Sequence, residues 1–196
     1  MQFIEGFFIW VIPMTFKKVQ RKVMGVAIAA LLISSTPLHA SLVMGGRLIP
    51  QTPFDSRLMS AGILNLQVPA HTSNNLDTIF GQAKAFRYKS DARANDYWQT
   101  PEETEARWAG DCEDKAVWLF AQLKKNGYEG ARLVVGRKDP SSNVLHAWVT
   151  LDDGSGNFFL LDPTAFKRVW RSTDFSDGSY KPLYSFDGTN RYRHDL

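Results

Sequence analysis

The sequence predicts an α+β fold, and three observations predict it. Residues 112–126 carry the clearest helical pattern of the 196-residue chain. Three β-rich segments then follow in succession at 131–137, 144–151 and 157–162. A length of about 156 residues beyond the N-terminal leader suits one domain with a real core. One helix followed by consecutive antiparallel strands is the α+β arrangement.

Taken in order, residues 1–40 read as an N-terminal extension and a secretory signal peptide. Lys17, Lys18, Arg21 and Lys22 form a positive region, residues 23–33 an apolar stretch, and Ser34 to Ala40 a small-residue exit. Cleavage is expected after Ala40. The apolar stretch is shorter than the roughly 20 residues that span a bilayer, and the alternative is an uncleaved membrane anchor. Met14, followed by Thr-Phe-Lys-Lys, is the more usual start for such a leader, and translation is expected to begin there rather than at Met1. Residues 41–70, with Gly45, Gly46, Pro50, Pro53 and Pro69, read as an irregular lead-in. The domain proper is expected over 71–196.

Within it, Leu76, Ile79, Phe80 and Ala83 recur at helical intervals in residues 74–88. Thr100-Pro101-Glu102-Glu103 is a helix start, with a capping threonine, proline at the first helical position and glutamate completing a capping box. That helix is expected to end near Ala109-Gly110. In residues 112–126, Ala116, Val117, Phe120 and Leu123 form an apolar stripe. Asp111 stands at the N-cap position, and Gly127 suits the left-handed residue that closes a helix. In 144–151, His146, Trp148 and Thr150 share one strand face and Ala147, Val149 and Leu151 the other. Pro163 stops the next strand. One further strand is expected near 182–186, while His71 and His194 read as surface residues.

Composition narrows the function. The 23 basic against 20 acidic residues give a formal charge of +3, but the excess sits entirely in residues 1–40. The remainder is neutral, which gives no support for nucleic acid as a partner. The single cysteine, Cys112, excludes an internal disulfide framework and any multi-cysteine metal site.

Three residues carry candidate chemistry by placement. Cys112 opens a helix, where free N–H groups and the helix dipole favour a thiolate. His146 lies in a strand and can act as its base, then return the proton to a leaving group. Asp162 ends the next strand, within cross-strand reach of His146, and can fix the imidazole tautomer. The Cys112 backbone N–H is one oxyanion donor. Trp98 and Gln99 are candidates for a second. Asp111, Glu113 and Asp114 crowd the thiol, which raises a thiol pKa. Two readings fit them: helix capping, or part of a site for a hard cation such as Ca²⁺.

Trp98, Pro101 and the run Gly110-Asp111-Cys112-Glu113-Asp114-Lys115-Ala116 resemble the nucleophile segment of bacterial transglutaminase-like cysteine proteinases, the LapG-like group of the transglutaminase/papain-like superfamily. Leu145-His146-Ala147, Leu160-Leu161-Asp162-Pro163 and Tyr180-Lys181-Pro182-Leu183-Tyr184-Ser185 resemble its later segments, and the likeness covers roughly residues 70–194. The resemblance implies a nucleophile helix packed on an antiparallel sheet. It also implies a periplasmic cysteine endopeptidase that works through a thioester, with Cys112 as nucleophile, His146 as base and Asp162 as its orienter. Asp111 and Glu113 match positions linked to calcium in that group, although the thiol chemistry itself requires no cofactor. Such enzymes process surface adhesins in biofilm formation and are held by an inner-membrane receptor. The expected partners are therefore a protein or peptide substrate and such a receptor. Two alternatives stay open: acyl transfer to an amine or hydrolysis of another amide, and a noncatalytic binding module of the same fold.

Overall fold

A long helix, Cys112–Lys125, lies across one face of a seven-stranded antiparallel sheet in the computed structural model. The structure describes residues 45–64, 66, 74–92, 96–171 and 179–195, all within one compact unit. The leader and His71 lie outside the described residues. No helix among the described residues is long and apolar enough to cross a membrane.

The described helices are α1 (Asp55–Ser60), α2 (Leu76–Ala85), α3 (Pro101–Arg107) and α4 (Cys112–Lys125). The main sheet contains β1 (Arg47–Ile49), β4 (Gly130–Arg137), β5 (His146–Asp152), β6 (Phe158–Leu161), β7 (Trp170–Arg171), β8 (Lys181–Phe186) and β9 (Arg191–Arg193), in the order β1-β9-β8-β4-β5-β6-β7. A separate parallel pair joins β2 (Arg87–Tyr88) to β3 (Ala109–Gly110).

The alternation expected in β5 sorts residues between two cores. Ala147, Val149 and Leu151 face α4 and pack with Ala116, Val117, Leu119, Phe120 and Leu123. Trp148 faces the other way, with Val134 and Leu160. The helix ends as its sequence dictates. Gly127 turns left-handed at φ 82°, and the N–H groups of Gly127 and Tyr128 return to the Lys124 and Leu123 carbonyls at 3.1 and 3.0 Å.

Helix α3 carries the expected capping box. Thr100 Oγ1 accepts the Glu103 N–H at 3.2 Å, and Glu103 Oε2 accepts the Thr100 N–H at 2.9 Å. It stops earlier than expected, because Trp108 adopts φ 48°. Ala109 and Gly110 are thereby freed to pair with Arg87 and Tyr88. Gly110 is required by packing, since a Cβ there would sit 2.5 Å from Asp114 Cβ.

Two expectations need correction. The stretch read as an irregular lead-in contains β1, paired to β9, and α1. Phe54, Leu58, Ala61 and Ile63 are buried core residues. Pro50 and Pro53 only punctuate this segment, and its apolar residues are too few per turn to show a period. His194 is not a surface residue. It is buried beside Ser185, with Nε2 2.9 Å from the hydroxyl. Its neighbour β9 is too short to signal itself in sequence.

Candidate active site

Cys112 opens α4 at the floor of a cleft of about 250 Å³, lined by Phe54, Trp98, Val135 and Ala147, with Asp96, Glu113, Leu145 and His146. A second cavity, about 320 Å³, continues past Leu145 toward Tyr88, Lys138 and Val144. Cys112 and His146 line both, so the thiol and imidazole stand where the two cavities meet.

His146 is the first residue of β5, and Asp162 follows the last residue of β6. The β5–β6 register pairs Val149 with Leu161, which places Asp162 diagonally from His146 rather than opposite it. The diagonal suffices, for His146 Nε2 lies 2.6 Å from Asp162 Oδ2. Asp162 is fully buried and also accepts from Thr164 Oγ1 at 2.6 Å, the Thr164 N–H at 2.9 Å, the Ala165 N–H at 3.1 Å and Tyr180 Oη at 2.7 Å. Burial alone would raise this carboxyl. The hydrogen bond and charge of His146, then the Thr164 and Tyr180 hydroxyls, outweigh it and hold the group at about 2. An ionised Asp162 can only accept. The neutral imidazole therefore carries its proton on Nε2 and its lone pair on Nδ1.

The thiol is held differently. Cys112 Sγ donates to Glu113 Oε2 at 3.0 Å rather than to the imidazole. Burial pushes the thiol pKa far up, Glu113's charge and hydrogen bond add to this, and the Ala147 backbone N–H only partly opposes it. The crowding visible in sequence thus has the expected sign.

The three carboxylates divide their roles. Asp114 is fully buried and accepts the backbone N–H groups of Gln99 and Asp111 at 2.8 and 3.2 Å. Burial, with the charges of Asp111 and Asp91, raises it to about 6. Asp111 is the N-cap of α4, in a capping box with Asp114; its Oδ2 also accepts the Asp91 N–H at 3.2 Å, while its buried Oδ1 lacks a partner of good hydrogen-bond geometry. Ligand atoms of Asp91, Asp111 and Glu113 lie within 4.8 Å of one another. Burial raises both Asp111 and Glu113 in this cluster, and neighbouring carboxylates add to it. An orphaned buried oxygen within a set of three carboxylates fits a hard cation such as Ca²⁺. Asp91 is absent from the sequence-based set, since it lies 20 residues from Asp111 with no spacing signal.

Of the oxyanion candidates, Trp98 lines the Cys112 cleft, stacked on Phe54 at 5.9 Å. Gln99 does not fit that role. Its backbone and side-chain N–H groups bind Asp114, and it lines a different cavity with Arg87, Lys89, Asp91 and Arg107.

The arrangement is an α+β fold in which a long helix packs on an antiparallel sheet, and this fold is shared with solved structures. The chain is similar in structure to LapG from Legionella pneumophila, with a TM-score of 0.52 and 22% identity over 60% of this chain and 66% of that one. The calcium-bound form of that protein matches with a TM-score of 0.51 and 20% identity, covering 60% of this chain and 66% of that one. An EGTA-treated form matches with a TM-score of 0.53 and 21% identity, covering 62% and 66%. The aligned part therefore spans just under two thirds of LapG. Protein-family models give no match to the sequence, and comparison with curated proteins gives none either.

Proposed function

We propose that the chain is a cysteine endopeptidase with Cys112 as nucleophile, His146 as general base and acid, and Asp162 as the residue that orients the imidazole. One observation carries this reading: the 2.6 Å His146–Asp162 contact leaves the imidazole lone pair on Nδ1, and His146 and Cys112 line the same cleft. In the reaction, Nδ1 takes the Cys112 proton, and the sulfur attacks the peptide carbonyl carbon. The oxyanion forms against the Cys112 backbone N–H, with Trp98 as the second candidate donor. The Nδ1 proton then passes to the leaving nitrogen as the C–N bond breaks. Water, deprotonated by the same nitrogen, attacks the thioester and returns the thiol. The first step requires Glu113 to release the sulfur.

Asp91, Asp111 and Glu113 are the residues that would hold Ca²⁺. A bound cation would supply positive charge beside the thiol and a stronger partner for Glu113. The calcium-bound form of the structurally similar LapG supports this assignment. The leader read in residues 1–40 supports an exported, periplasmic site of action, and the resemblance to the LapG-like group implies a surface protein such as an adhesin as substrate and an inner-membrane receptor as regulator.

The test is a comparison of N-terminal peptides from cell surface and medium between wild type and Cys112→Ala. New termini generated only by the wild type would support endopeptidase activity. Identical termini in both strains would overturn it.

A further inference from the structure

We propose that Tyr180 is a positioning residue for the His146–Asp162 pair, its hydroxyl fixing the carboxylate oxygen that the imidazole uses. Asp162 has two differently supported oxygens. Oδ1 is held from its own turn, by Thr164 Oγ1 and the N–H groups of Thr164 and Ala165. Oδ2 receives His146 Nε2 at 2.6 Å and Tyr180 Oη at 2.7 Å. Rotation about the Cβ–Cγ bond moves both oxygens together, so donors on each oxygen hold the carboxylate plane at two points. The Tyr180 donor on Oδ2 narrows the remaining play and favours one direction for the imidazole N–H.

Tyr180 is itself held by the sheet face opposite α4. Its ring meets Trp148 edge-on at 5.1 Å and lies 5.6 Å from Phe166. Trp148 in turn lies nearly parallel to the His146 ring, at 6.1 Å and 26°. Gly136, paired with His146 across β4–β5, keeps this wall close, because a Cβ there would run into the Trp148 ring and the Lys181 carbonyl. The reverse core thereby sets the direction of the imidazole, and the Tyr180 hydroxyl transmits it through a charge-assisted bond. This also gives a physical role to the Tyr180–Ser185 segment, whose resemblance in sequence has no chemistry of its own.

The kinetic arm of the test rests on the endopeptidase reading; the spectroscopic arm does not. Tyr180→Phe keeps the ring and removes only the hydroxyl. Loss of one hydrogen bond to a charged group predicts a fall in kcat of about tenfold with KM unchanged. The His146 Nε2–H proton, followed by NMR, is expected to shift and to exchange faster with water. A variant whose Nε2–H resonance and exchange match the wild type would overturn the proposal, whatever its melting temperature does. If Tyr180→Phe fails to fold, 3-fluorotyrosine at position 180 keeps ring and hydroxyl while strengthening the donor. It is expected to displace the same resonance, and an unmoved resonance would again overturn the proposal. A protein that cleaves no peptide yet shows the Nε2–H change would refute the endopeptidase reading and leave the positioning role standing.

Discussion

Asp162 contacts His146 and Glu113 contacts Cys112, and the surroundings of the two carboxylates differ in kind. Asp162 accepts from His146, Thr164, Ala165 and Tyr180, and its carboxyl is held at about 2 despite full burial. Glu113 is also buried, but it accepts the Cys112 thiol and stands among other carboxylates, with its own pKa driven up. Enough donors make a buried charge stable; shared acceptors do not. The histidine side is complete with protein groups alone, whereas the cysteine side is acceptor-rich and suited to an added cation.

The largest effect should come from the complete side. Asp162→Asn keeps the shape and removes the charge that fixes the tautomer. By analogy with the corresponding change in the serine-protease triad, kcat is expected to fall about 10⁴-fold. Peptide cleavage measures it, and near-wild-type turnover would show that Asp162 is structural only.

The cysteine side should respond to cation. Calcium at a hundredfold excess over its Kd would stabilise the fold by about 2.7 kcal/mol, and Asp91→Asn should remove most of that gain. Thermal melts with calcium and with chelator report both. An identical melting temperature in the two conditions would reject the site.

The two sides also titrate in opposite directions. Burial raises Glu113 from 4.5 to about 8, so in chelator the folded state keeps a proton that the unfolded state releases. Stability should therefore fall as pH rises from 4.5 toward 8, and calcium should flatten that slope. Asp162 has its native pKa lowered from 3.8 to about 2, so its contribution is present above 3.8 and lost as pH falls toward 2. Urea unfolding across pH, with and without calcium, separates the two windows.

The smallest effect serves as a control. Thr100→Ala breaks the α3 capping box and should cost about 1 kcal/mol. It should leave cleavage and calcium response unchanged, since Thr100 lines neither cavity beside Cys112.

Local chemistry explains what was legible in the sequence. The apolar stripe of α4, its Gly127 stop, the α3 capping box and the alternation in β5 all follow from spacing. The same placement singles out Cys112, His146 and Asp162 as site candidates. Phe54, Asp91 and Tyr180 were not legible as site residues, because tertiary pairing brings them there from segments without periodicity. His194 shows the same limit, for nothing beside it in sequence signals the burial that lowers its pKa to about 4. Gln99 fails for the complementary reason: its position was suggestive, but Asp114 had already engaged its donors.

The pairing of β1 with β9 joins Arg47 to Arg193 and so ties together segments made early and late in synthesis. Such a contact closes a very long loop, which slows folding and delays completion of this sheet edge until the late strand is present. The early segment cannot lock into its final place until β9 has been made. A truncation that removes β9 would also leave β8 as an open edge, ready to pair with another chain.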